Sequence, residues 1–175
     1  GGVGLNLVQA TYMAGASEII AVDLFENRLS LARSFGATST LTGNPKVIKE
    51  KIKVLTNNNL DIFIDNTGNT DIISMGYSII RKTGKLVLVG VPSCSKNISI
   101  HSLDLHFGKS IKGSHGGEAK PHLDIPRYMN LLKKRKQKLA IIISQVAPLA
   151  NVNELIHSMK SGESAGRCIV DLKSS

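Results

Sequence analysis

Apolar residues follow a helical period from the first positions of the chain. Val3, Leu7, Ala10 and Ala14 fall on one face of a helix over 3–14, and Gly15 can stop it. The pattern then condenses into a short buried strand over 18–23. It opens again into a helix over 25–35, with Leu29, Ala32 and Phe35 inward and Gly36 just past its end. A Thr-rich strand over 38–42 follows. Asn44-Pro45 reads as a cap and first-turn proline, opening a helix whose inner stripe is Ile48, Ile52 and Leu55. The Asn57-Asn58-Asn59 cluster ends that helix. A strand over 60–66, a helix over 70–81 through Ile73, Tyr77 and Ile80, and a strand over 85–91 closed by Pro92 complete the regular stretch.

Beyond Pro92 the rhythm changes. Residues 93–109 read as a surface connection with a short extended piece from Ile98 to Ile100, and 110–114 as one more strand. His115-Gly116-Gly117 turns the chain. Asp124 caps a helix from 125 to about 137, with Pro126 in its first turn. A β-branched strand over 140–146, a helix opened by the capping-box arrangement Asn151 to Glu154, and a strand over 168–172 close the chain. No internal repeat is visible. Strands alternating with helices through short connections predict an α/β fold, a parallel sheet covered on both faces with right-handed crossovers.

The chemistry suggested by this layout sits at its start. Gly1-Gly2-Val3-Gly4 leads straight into the first helix, which aims unpaired N–H groups and the positive end of its dipole at one spot. Glycine lets a backbone approach a pyrophosphate there without a Cβ in the way. Asp23 ends the next strand, 19 residues after Gly4, where a dinucleotide-binding βαβ unit places, about 20 residues on, the carboxylate that takes ribose hydroxyls. The first glycine of G-x-G-x-x-G, and the strand before it, would precede residue 1. The motif reads as cut through its middle and the chain as a fragment.

Composition changes this picture little. The chain has 175 residues, 42% apolar and 20% charged, so one good core and one to one and a half domains are expected. No apolar run approaches the ~20 residues that span a membrane, and no signal peptide is visible. Cys94 and Cys168 form neither a disulfide framework nor a zinc-ligand spacing and read as free thiols. The net charge of +9 is spread along the chain, +4 over residues 1–115 and +5 over 116–175. The one dense run, 133–138 (KKRKQK), reads as a solvated helix end, where cations suit the dipole. A nucleic-acid surface would need interleaved stacking aromatics, which are missing there. The alternatives are thus a nicotinamide-dependent enzyme, a non-catalytic NAD(H)-binding module and, from charge alone, a nucleic-acid-associated basic protein.

The stretches GGVGLNLVQ, AVD followed by Asn27-Arg28, ARSFGAT, Asp65-Asn66-Thr67-Gly68, GKLVLVGVP, IKGSHGG, DIPRY and GESAGRCIV, in this order and spacing, resemble the zinc-containing medium-chain alcohol dehydrogenases. The match covers nearly the whole chain and corresponds to that family's C-terminal half. The resemblance implies a Rossmann-type doubly wound parallel sheet lacking its first strand. It implies a dinucleotide-binding domain over 1–115 and a C-terminal α+β segment over 116–175, which returns to complete a GroES-like catalytic domain. The strands at 140–146 and 168–172 would then have exposed edges, making the chain on its own less stable and sticky.

The same resemblance implies roles. Gly1, Gly2, Val3 and Gly4 would cradle the pyrophosphate, and Asp23 the adenosine ribose, its charge favouring NAD over NADP. Arg28 would contact the adenosine ribose or phosphate, or be a surface arginine on a helix. Thr67 would pass beneath the cofactor. Val89, Gly90 and Val91 would pack on the nicotinamide and bond its carboxamide, the valines being otherwise plain strand residues. Ser114 or His115 would add backbone contacts to the carboxamide. Arg167 would reach back to the pyrophosphate, or be an arginine flanking a strand. The activity implied is hydride transfer between an alcohol CH–OH group and NAD, with a small alcohol or aldehyde as substrate. Zinc is implied for the full-length enzyme, with ligands outside this chain; a zinc-independent medium-chain reductase shares the same half. His101, His106, His115, His122 and His157 lack metal-ligand spacing and read as surface or loop residues. A cytoplasmic homodimer or homotetramer, paired through the strand at 110–114, without nucleic-acid or membrane partners, completes the expectation.

Overall fold

In the computed structural model, which describes residues 1–134 and 139–173, the chain forms two compact units. The first comprises Gly1–Thr42 with His122–Ser175, the second Gly43–Pro121.

The first unit begins with α1 (Gly2–Met13), then β1 (Ile20–Val22), α2 (Glu26–Ser34) and β2 (Ser39–Leu41). β1 and β2 pair in parallel, Ile20 opposite Ser39 and Val22 opposite Leu41. Leu5, Ala32 and Phe35 are buried together with Val8, Ala21, Leu31, Ala37 and Ile142 around them. The two helix stops are glycines in the left-handed region, Gly15 at φ 86° and Gly36 at φ 109°, as the pattern predicts.

The unit resumes with α6 (Pro121–Lys134), β6 (Ile143–Pro148), α7 (Val152–Ser161) and β7 (Arg167–Asp171). β6 and β7 pair in parallel, so this stretch is itself a strand–helix–strand unit. α6 starts four residues earlier than expected. Pro121 occupies its first position, so Asp124 lies within the first turn and Pro126 inside the helix. Lys133 and Lys134 lie in its last turn; the rest of the basic run, and the expected extension to 137, lie outside the described residues. The strand expected over 140–146 is displaced, because a 3-10 turn takes Leu139–Ile142 and the extended backbone begins at Ile143. Asn151 does not cap α7 with its side chain. Its amide instead donates to Glu154 Oε2 at 2.8 Å, and a 3-10 turn over Leu149–Asn151 leads into the helix. Val146 and Leu172 stand 61% and 78% exposed.

The second unit holds α3 (Pro45–Leu55), β3 (Leu60–Asp65), α4 (Thr70–Ile79), β4 (Ile80–Leu88), the single helical turn α5 (Leu103–His106) and β5 (Ser110–Gly113). Its sheet is parallel throughout, in the order β3-β4-β5. Asn44 caps α3 by accepting from Lys46 N, and Asn69 caps α4 by accepting from Asp71 N and Ile72 N. Asn57 and Asn58 end α3 in the left-handed region, at φ 48° and 58°. The core is Ile73, Tyr77, Ile80 and Leu86, with Phe63, Ile98 and Ile111 packed on it. Ile98 and Ile100 thus contribute core rather than a strand.

β4 corrects the sequence reading. It starts directly after α4 and ends at Leu88, three residues before the expected Val91, because Val89 N and Gly90 N both turn to Asp65 O at 2.7 and 2.9 Å. The connection after β4 is pinned by a largely buried ammonium. Lys109 Nζ pairs with Asp104 Oδ2 at 2.9 Å, donates to Tyr77 O at 3.0 Å and stands over the Tyr77 ring. Parallel strands alternating with helices confirm the α/β class.

Candidate functional site

In the first unit the residues singled out from the sequence converge around the N-terminus of α1. No side chain caps that helix. Its first intrahelical bond is Leu5 N to Gly1 O at 3.0 Å, so the earlier N–H groups are the unpaired donors of any helix start. Arg167, at the start of β7, lays its side chain against Gly2: a Cβ on Gly2 would come within 2.8 Å of the arginine Cδ and Cζ. Glycine at position 2 therefore lets a guanidinium and a helix N-terminus share one spot, the electrostatics that suit a polyanion.

Asp23 follows β1 and is partly buried. Its Oδ1 accepts from Phe25 N at 3.1 Å, which fixes the turn into α2. The Gly1 backbone nitrogen lies 3.6 Å from Oδ2. Arg28 Nη1 lies 3.7 Å from Asp23 Oδ1. The guanidinium stacks on the Phe25 ring 4.5 Å from its centre, and Nη2 donates to Met159 O at 3.3 Å. Its Nε is buried without a hydrogen-bond partner. Arg28 is thus not a plain surface residue.

Sequence reasoning missed what holds this turn in place. Asn27 donates to Gly162 O at 2.8 Å and to Glu163 O at 3.1 Å, satisfying carbonyls at the end of α7. The Phe25 ring lies where a Cβ on Gly162 would be, and Gly162 takes φ 83°. No local pattern links residues 135 positions apart, so no sequence signal marks this pair.

In the second unit Thr67, Val89, Gly90 and Val91 meet at the carboxyl ends of β3 and β4, the end at which open α/β sheets bind ligands. Val91 is 90% exposed, so it is not a core strand residue, while Val89 is half-buried. Ser114 N donates to Leu88 O at 2.8 Å, which places the end of β5 beside the end of β4. Ser114 Oγ accepts from Gly117 N at 3.2 Å, and His115 is exposed at the start of a single 3-10 turn. The sequence reading also missed Asp65, whose carboxylate is buried beneath Thr67. The signal was available, since Asp-x-Thr-Gly at a strand end is the signature of a side chain folding back on its own turn.

Among the described residues no group of three or more His, Cys, Asp or Glu could hold a metal ion, and Cys94 and Cys168 are free thiols. No helix among them is long and apolar enough to cross a membrane.

Comparisons with known proteins place the chain in a family. A family model described as zinc-binding dehydrogenase matches residues 2–134. The chain is 32% identical to alcohol dehydrogenase 1 of Zea mays over 99% of its own length and 46% of that protein's. It is likewise 32% identical to alcohol dehydrogenase 1 of Solanum tuberosum, again over 46% of that protein. It therefore spans about half the length of the curated relatives it matches. Among solved structures, benzyl alcohol dehydrogenase from Acinetobacter calcoaceticus superposes with a TM-score of 0.86 at 27% identity, covering 97% of this chain and 47% of that one. With the Rossmann-type fold, the glycine start of α1 and the match over 2–134, the chain belongs to the zinc-binding dehydrogenase family.

Proposed function

We propose that this chain is the NAD(H)-binding portion of an alcohol dehydrogenase, an oxidoreductase moving a hydride between an alcohol CH–OH group and NAD. The observation that carries the reading is the uncapped start of α1, with Arg167 laid over Gly2 and Asp23 closing the next strand. Gly1, Gly2, Val3 and Gly4 present N–H donors to the pyrophosphate, and Arg167 adds a cation. Asp23 accepts from the adenosine ribose hydroxyls and repels a 2′-phosphate, which favours NAD over NADP. Arg28 lies beside Asp23 and adds positive charge at the same end of the cofactor.

In the second unit, Thr67, Val89, Gly90 and Val91, with backbone groups of Ser114 and His115, take the nicotinamide and its carboxamide. When bound, the nicotinamide ring accepts or returns the hydride at C4. The residues of this chain bind and orient it; they supply no proton relay. A catalytic zinc of the full-length enzyme would take its ligands from outside this chain. Residues 1–115 form the dinucleotide-binding domain, and 116–175 complete a catalytic domain. The substrate is a small alcohol or aldehyde. The enzyme is a cytoplasmic homodimer or homotetramer joined through β5, which lies at an edge of its sheet.

The test is turnover by the protein at its full natural length, given NAD and a panel of small primary and secondary alcohols and followed by absorbance of the reduced nicotinamide. Alcohol-dependent reduction of NAD is expected. Saturable NAD binding with no reduction by any alcohol would favour the non-catalytic binding module instead.

A further inference from the structure

We propose that Asp65 is a positioning residue for the nicotinamide end of the cofactor, locking two separate turns into one rigid block; this rests on the NAD-binding reading above. Asp65 is the last residue of β3 and is 1% exposed. Its Oδ1 accepts from Thr67 Oγ1 at 2.6 Å and from Thr67 N at 3.2 Å, and its Oδ2 accepts from Gly68 N at 2.9 Å. Its carbonyl accepts from Val89 N and Gly90 N at 2.7 and 2.9 Å. One residue therefore takes five hydrogen bonds from two turns. They follow adjacent parallel strands that are in register at Asp65 and Leu88.

The two turns also interlock. A Cβ on Gly90 would lie 2.6 Å from Asn66 C and Thr67 N, and one on Gly68 would lie 2.7 Å from Val91 C. These are backbone atoms that cannot swing aside, and Gly68 sits at φ 70°. The carboxylate fixes the spacing from below while the paired glycines fix it from above.

The chemistry requires a carboxylate here. Three donors converge on two oxygens, and an amide would set an NH2 group against one of those N–H groups. An apolar residue would leave all three donors without their acceptor. Taking a carboxylate out of water costs stability, and apolar replacements of buried charges are often more stable. What the burial secures is geometry: Thr67, Val89, Gly90 and Val91 are set relative to one another before any ligand arrives. Preorganisation lowers the ordering cost of binding.

The test compares two probes on the protein at its full natural length. NADH carries the nicotinamide; ADP-ribose shares the adenosine, pyrophosphate and second ribose but lacks it. Asp65→Asn is expected to weaken NADH binding about tenfold, with ADP-ribose affinity held within about twofold. Gly90→Ala, whose Cβ would meet Thr67 N and Gly68 N, two of the donors to the carboxylate, is expected to give the same split and serves if Asp65→Asn fails to fold. Equal weakening of both probes, or no change in either, overturns the positioning role. A wild-type protein that binds neither probe overturns the NAD reading itself, a distinct result.

Discussion

Leu86→Ala should destabilise the protein by about 3 kcal/mol, a loss read from the urea midpoint at unchanged slope. Leu86 is completely buried in the middle of β4, enclosed by Ile73, Tyr77 and Ile80, with Phe63 and Ile111 packed against that cluster. Truncation removes apolar surface burial and leaves a cavity between a helix and a central strand, whose backbone ladders on both sides resist collapse. Val54→Ala is the matched control. Val54 is 80% exposed on α3, so its loss should change stability by less than about 0.5 kcal/mol. A loss below about 1 kcal/mol for Leu86→Ala would show that the second unit's core lies elsewhere.

Arg167→Ala should lower affinity for ADP-ribose about tenfold to a hundredfold, while adenosine, which has no phosphate, binds as before. The estimate takes the loss of one or two charge-assisted hydrogen bonds to a partly buried anion, about 1.5–3 kcal/mol. Arg167 is exposed in the structure and its side chain rests on Gly2, so its removal opens no core. Isothermal titration with both ligands, alongside a thermal melt, separates binding from folding. Equal loss for adenosine and ADP-ribose would place Arg167 away from the phosphates. So would a result in which ADP-ribose binding does not change.

Much of the first unit's site was legible in the sequence because its chemistry is local. A glycine run at a helix start and an aspartate closing the next strand declare themselves by residue type and spacing. The helix stops at Gly15, Gly36 and Asn57-Asn58 were legible for the same reason, since few residues tolerate positive φ. The misplacements came where two local signals competed or where a distant partner decided the outcome. Pro121 and Pro126 both suit a first turn, and the chain uses the earlier one. Asn151 has the right spacing for a capping box, but its amide bonds the Glu154 carboxylate instead. KLVLVGV reads as one strand to its end, yet the carbonyl of Asp65 diverts Val89 and Gly90 from the ladder.

The buried carboxylate itself was invisible to hydrophobic patterning, which treats Asp65 as the polar end of a strand. Its mark in the sequence is the Asp-x-Thr-Gly turn that folds back over it. Phe25 and Asn27 are legible only in three dimensions, because their partners at Gly162 and Glu163 are far along the chain. The proposed pyrophosphate and ribose positions would therefore be local features held in place by non-local ones. The coupling predicts that damage at the end of α7 reaches Asp23 through Arg28.

The most direct measurement of the central claim is a fluorescence titration of the protein at its full natural length with NADH and with NADPH, repeated on Asp23→Ala. Saturable NADH binding is expected, with NADPH weaker by about tenfold or more and a gap that narrows in the variant as the repelling carboxylate is lost. An absence of saturable NADH binding, or equal affinity for the two cofactors in the wild-type protein, would contradict it.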